Sequence, residues 1–162
     1  MKLIGKGMFT KAYLLESGRV RLESVDQVKE CMSLGWFPDH RLFPTIERID
    51  FDCGHDGHSV YEMDFYERPK SLKNTLSSRQ YDLYNVLRGL TAYAQRSCDI
   101  YTEWHKAFDS IPARFKGERE ALKEALDAML NYSTAVRFEI SPRNVAVKGG
   151  KLILLDCFFI KD

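Results

Sequence analysis

The stretch that most constrains the fold runs from Phe138 to Asp156. Val145 and Val147 alternate with Ala146 and Lys148, the period of a strand. Gly149-Gly150 supplies the two positive φ angles that a two-residue hairpin turn requires. Leu152 to Leu155 is a short apolar run, as expected of a buried strand. Glu139 and Asn144 lie just before the first strand, and Asp156 just after the second. Antiparallel pairing returns the end of the second strand to the start of the first. The three polar side chains are therefore predicted to converge.

Length and composition narrow the class. At 162 residues the chain is expected to form one domain, or one domain in two small lobes. With 44% hydrophobic and 29% charged residues it has the make-up of a globular chain, not a disordered one. A net charge of +1 argues against non-specific nucleic-acid binding as its main task. No apolar run reaches the length of a membrane span, and Met1 to Gly7 is too broken for a secretory signal. Cys31, Cys53, Cys98 and Cys157 are scattered without a CxxC pair, which points to reduced thiols in a cytoplasmic protein. There is no internal repeat and no low-complexity linker.

Residues 1–23 read as strand, glycine loop, strand, turn, strand. Leu3-Ile4 enters Gly5-Lys6-Gly7-Met8-Phe9-Thr10, Ala12 to Leu15 follows, and Val20-Arg21-Leu22 returns after a turn at residues 16–19. Glycines allow a backbone to approach phosphates and offer them its N–H groups. Residues 24–36 are predicted to be a helix capped by Ser24, with Val25, Val28, Met32 and Trp36 on one face. Strands are expected over 45–51 and 59–66, with a turn at 53–58. That turn holds Cys53, His55 and His58, a spacing that matches no common zinc pattern. Apolar stripes predict helices after Ser77-Ser78, from Ile100 to Ile111, and from Glu118 to Tyr132.

An acid followed five residues later by Asn, then a hairpin, then an Asp is the spacing of phosphotransferases of the protein-kinase fold. Gly5-Lys6-Gly7-Met8-Phe9-Thr10-Lys11-Ala12-Tyr13 resembles the kinase glycine-rich loop. Phe138 to Asn144 resembles the catalytic loop, and Asp156-Cys157-Phe158 the DFG segment. In style the chain is similar to the small serine/threonine protein kinase of T7-like bacteriophages. The resemblance spans most of the chain by motif order, with close matches only in these short stretches. It implies an α+β fold, a minimal kinase-like pair of lobes. Residues 1–67 would be an N-terminal antiparallel sheet with one helix, plus the hinge. Residues 68–162 would be a truncated, mainly helical lobe with the catalytic-loop hairpin. It implies ATP and magnesium as cofactors. Glu139 and Arg21 would be catalytic, Gly5, Lys6, Gly7 and Lys11 would bind the nucleotide, and Asn144 and Asp156 would hold the metal. Glu30 would be the helix acid that pairs with the strand-three cation. The partner would be a host protein, with neither nucleic acid nor membrane, in the cytoplasm of an infected cell.

Four departures divide the functional expectation. Glu139 stands where an Asp is usual, which moves the carboxylate out by one methylene. Strand three has Arg21 and no Lys, so Lys6 or Lys11 becomes the alternative phosphate cation. Arg137-Phe138-Glu139 replaces His-Arg-Asp, removing the arginine that would receive an activation-loop phosphate. Asp162 follows Asp156 by only six residues, so no activation segment or later helices are expected. Two functions follow from this pattern. One is a phage-type kinase acting on host Ser/Thr hydroxyls. The other is an inactive kinase-like protein that inhibits a host protein by binding it.

Overall fold

The structure, a computed structural model, describes residues 1–50, 57–94 and 100–161. It is α+β. The chain divides into two compact units: Met1–Trp36 with Pro44–Phe65, and Phe37–Phe43 with Tyr66–Asp162.

The first unit is a five-stranded antiparallel sheet with one helix. Its strands are β1 (Lys2–Lys6), β2 (Thr10–Leu14), β3 (Val20–Ser24), β4 (Ile46–Asp50) and β5 (Ser59–Met63), in the order β1-β2-β3-β5-β4. Val20, Leu22 and Ser24 are buried while Arg21 and Glu23 between them are half-buried, so β3 shows the period of two that its sequence carries. β5, between β3 and β4, buries both Val60 and Tyr61.

Helix α1 (Gln27–Ser33) is shorter than its apolar stripe suggests. Its cap is Asp26, whose Oδ1 accepts from the Val28 N–H at 2.9 Å. Ser24 belongs instead to β3. Its hydroxyl donates to the Phe9 carbonyl at 3.1 Å and accepts the Asp26 N–H at 3.0 Å. Gly35 ends the helix at φ 75°. The Trp36 N–H reaches the Cys31 carbonyl and the Gly35 N–H the Met32 carbonyl, each at 3.1 Å. That double closure is the Schellman arrangement, and it leaves Trp36 outside the helix. Val28, Cys31 and Met32 face the core, whereas Val25 and Trp36 are exposed. Burial, with Glu30 and Asp26 nearby, pushes the Cys31 thiol up to about 11, so it stays a protonated, inert thiol.

The second unit holds α2 (Leu72–Thr75), α3 (Ser78–Ala94), α4 (Ile100–Asp109), a 3-10 turn (Ala113–Phe115) and α5 (Lys116–Tyr132). Four short strands complete it: β6 (Val136–Phe138), β7 (Val145–Lys148), β8 (Lys151–Leu154) and β9 (Phe158–Ile160). Leu83, Leu87, Phe108, Ile111, Phe115, Leu122, Leu126 and Met129 are fully buried at the heart of the helical part. β7 and β8 form the hairpin read from the sequence, with Gly149 and Gly150 at φ 57° and 72°. Buried Gln80 of α3 accepts the Leu152 N–H at 2.9 Å, and Leu42 O accepts the Leu154 N–H at 2.7 Å. Those two bonds satisfy backbone donors of a buried strand and fix the hairpin in place.

One buried carboxylate ties three segments of this unit together. Glu118, in the first turn of α5, accepts from Arg41 and from Arg79, each at 2.7 Å. Burial pushes its pKa up, but the hydrogen bonds from Arg79, its own backbone and Arg41 outweigh that and hold it at about 2. Arg79 also donates to the Arg114 carbonyl and lies over the Phe115 ring, 5.0 Å from its centroid.

Candidate functional site

The site is built on a pair of phenylalanines. Phe138 of β6 and Phe158 of β9 are register partners, with ring centroids 5.4 Å apart. Phe108 lies edge-on to Phe138 at 5.0 Å, Trp104 at 5.8 Å, and Phe37 edge-on to Phe158 at 5.9 Å. These rings, all buried except the half-buried Phe37, fix the two strands from which the polar residues emerge. Glu139 is the first residue after β6, and Asp156 lies two residues before β9.

Backbone hydrogen bonds then close the loop. The Glu139 N–H donates to the Cys157 carbonyl at 2.9 Å. The Asn144 carbonyl accepts two N–H groups, from Leu155 at 2.9 Å and from Asp156 at 3.2 Å. The Asn144 N–H in turn donates to Ser141 O at 3.0 Å, closing a β-turn with Pro142 at its second position. Ile140, only 3% exposed, anchors the loop from below. Glu139, Asn144 and Asp156 are thus brought to one end of the hairpin by main-chain bonds. Glu139 and Asp156 are exposed and Asn144 is half-buried.

The donor set suits a hard cation. An amide oxygen from Asn144 and a carboxylate from Asp156 are the ligand types of magnesium, which takes few protein ligands and fills its octahedron with water and phosphate oxygens. Among the described residues no group of three or more His, Cys, Asp and Glu is placed to cage an ion. His58 is described, while Cys53 and His55 of the sequence's Cys/His turn lie outside the described residues.

No protein-family model matches the chain, and no curated protein matches it. Among solved structures it is similar to the streptomycin–ATP–APH(2")-IIa ternary complex, at 14% identity and a TM-score of 0.41, over 99% of this chain and 67% of that one.

In the first unit, the glycine stretch joins β1 to β2. Gly5 and Lys6 are the last residues of β1, and the turn proper is Gly7-Met8-Phe9. The Gly7 N–H donates to Thr10 O at 2.8 Å, and Phe9 O accepts the Val25 N–H at 3.1 Å. Neither Gly5 nor Gly7 has a positive φ, and a Cβ on Gly7 would make only an ordinary contact with Thr10 O at 3.7 Å. The fold itself does not demand glycine at position 7. Lys6 and Lys11 stand directly opposite each other in the β1–β2 register. Like charges so placed repel, and a bound anion would relieve them.

Arg21 lies on β3, and its guanidinium pairs with Glu62 of β5 at 2.9 Å. Glu30 of α1, the expected partner of a strand-three cation, pairs instead with Arg48 of β4 at 3.0 Å. Arg48 also donates to Ser59 Oγ at 3.0 Å. The sequence reading did not single out Arg48. Its only signal there is a cation on a strand next to a helix acid, and that is too common to select one pair.

Proposed function

We propose that the protein is a compact kinase-like phosphotransferase that binds Mg-ATP and phosphorylates Ser/Thr hydroxyls of a host protein. The observation that carries this reading is the backbone lock at Asn144, whose carbonyl receives the N–H groups of both Leu155 and Asp156. It sets an acid, an amide and a carboxylate at one end of a rigid hairpin. The strand order β1-β2-β3-β5-β4 with a helix between β3 and β4 supports the reading, as do the β6–β9 and β7–β8 pairs around the loop.

In this reading Asn144 and Asp156 hold the magnesium through their side-chain oxygens. Bound there, the ion supplies charge neutralisation for the phosphates. Glu139 would accept a hydrogen bond from the acceptor hydroxyl and take its proton as the new O–P bond forms, the bond from the γ-phosphorus to the bridging oxygen breaks and ADP leaves. The exposure of Glu139 leaves its carboxylate accessible to a substrate hydroxyl. In the first unit, the backbone N–H groups at Gly5 and Gly7 and the cations Lys6 and Lys11 serve phosphate oxygens. Arg21 is a weaker candidate for that task because Glu62 already engages it. Catalysis then comes from positioning and electrostatics.

Transfer of radiolabel from ATP to protein substrate should be abolished by Glu139→Gln; unchanged transfer would remove Glu139 from the mechanism. A second reading is favoured by one observation. Glu30 and Arg21 are each committed to other partners, Arg48 and Glu62, so the pair that orders the phosphates in active kinases is not formed. On that reading the chain inhibits a host protein by binding it. Its effect would then survive Asp156→Ala and the removal of ATP.

A further inference from the structure

The second unit carries a basic ridge that phosphate transfer does not use. Residues 66–77 run beside the β7–β8 hairpin. The Val147 N–H donates to Glu67 O at 2.8 Å, and the Ser77 N–H to Gly150 O at 3.0 Å. These two segments, 66–77 and 145–155, hold five cations, Arg68, Lys70, Lys73, Lys148 and Lys151, and one acid, Glu67. All five cations are exposed.

Two features mark this ridge. Elsewhere in the same unit Lys106, Arg114, Arg119 and Lys123 have carboxylates beside them, at 3.3, 3.5, 3.3 and 2.7 Å, while Arg88, Lys116, Arg143 and Lys161 are single exposed cations with no ion pair among the described residues. Among the described residues Arg68, Lys70, Lys73 and Lys151 form no ion pair. Moreover, Lys148 and Lys151 are direct cross-strand partners at the tight turn. Like charges placed directly opposite repel, and an acid at position 151 would face Lys148 with the opposite charge.

We propose that this ridge docks an acidic, Asp/Glu-rich segment of a partner protein. Charge complementarity is the argument, and the surface chemistry narrows the choice. No large apolar side chain is exposed within 66–77 or 145–155, and the single exposed ring next to them, Phe65, is too little apolar surface to anchor the ridge in a lipid surface. Its one aromatic ring, Tyr66, is buried beneath Lys148, whose Nζ lies 5.5 Å from the ring centroid. The ridge itself thus offers no row of exposed rings on which successive bases could stack. The strand from Asn144 to Gly149 sets the ridge roughly 15 Å from the acidic end of the hairpin. A segment docked there leaves Glu139 and Asp156 uncovered. The inference goes beyond the phosphotransferase reading and holds equally for a protein that acts by binding.

The test is fluorescence anisotropy of a labelled Glu-rich peptide with the whole chain, without nucleotide or magnesium, so the outcome is independent of Mg-ATP binding. A single-stranded oligonucleotide of matched charge and anionic phosphatidylserine vesicles are run beside it. The peptide is expected to bind best, and to bind more weakly as salt is raised. Lys148→Glu should weaken it roughly tenfold or more. Lys151→Glu should weaken it likewise and, by facing Lys148 with an acid across the turn, should not lower the melting temperature. Absent peptide binding, equal binding by the charge-reversed variants, or tighter binding of the oligonucleotide or vesicles would each overturn the proposal.

Discussion

Phe138 and Phe158 face each other across the β6–β9 pair, ring centroids 5.4 Å apart, and between them fix where Glu139 and Asp156 leave the core. The placement of both carboxylates therefore depends on two buried rings. Phe158→Ala should lower stability by about 3–5 kcal/mol, the usual cost of emptying a buried aromatic site. Phe158→Leu keeps most of the volume and should cost about 1.5 kcal/mol or less. Denaturant unfolding of the two variants checks this. Equal losses would mean that the ring is not packed as described.

The Glu118 carboxylate sets the acid limit of the second unit. Its folded pKa of about 2 lies below the ordinary value of 4.5. Its stabilisation is thus complete above about pH 4.5 and lost as pH falls towards about 2, an effect on the order of 3 kcal/mol. Glu118→Gln should move the acid-unfolding midpoint upward and leave Arg41 and Arg79 with a neutral partner. An unchanged acid-unfolding curve would contradict the shared ion pair.

His40 acts at higher pH. Burial, helped by the neighbouring Arg41 charge, pushes its pKa down from 6.5, and its Nδ1 accepts the Leu42 N–H at 3.2 Å, which requires the neutral ring. The stability it confers is present above about pH 6.5 and lost as pH falls below that value. Thermal melts between about pH 7 and 5 should show a decline that is absent in His40→Gln. A decline of equal size in the variant would place its cause elsewhere.

Arg48 and Arg21 should separate by readout. Arg48 holds Glu30 and Ser59 and is mostly buried, so Arg48→Ala should cost about 1.5–3 kcal/mol of stability. Arg21 is more exposed, and Arg21→Ala should cost no more than about 1 kcal/mol. If Arg21 also meets a phosphate, ATP affinity falls in that variant. If affinity holds, Arg21 is structural and Lys6 or Lys11 carries the charge.

The hairpin was legible because two adjacent glycines name one turn type, and both adopt the positive φ it needs. The approach of the main chain at Glu139, Asn144 and Asp156 followed from that hairpin. β6 and β9 were not legible, since three residues give no period to read, and their pairing depends on rings brought together by α4. The helix at 27–33 was overextended because the apolar stripe continues past Ser33, whereas Gly35 ends it by its backbone conformation. The commitment of Glu30 to Arg48 was hidden for a related reason. Which cation a helix acid meets depends on the strand order β3-β5-β4, and that order is a property of the folded sheet.

The central claim is that Asn144 and Asp156 form a working magnesium–phosphate site. Asn144 positions the loop through its carbonyl, so Asn144→Ala should fold with a nearly unchanged melting temperature, and the folding of Asp156→Ala is checked by its own melting curve. The decisive measurement is calorimetric titration of ATP, with and without magnesium, into the wild-type protein and Asp156→Ala. The account predicts magnesium-dependent binding to the wild type and its loss in the variant. Absence of magnesium-dependent binding to the wild type, or its survival in Asp156→Ala, would contradict it.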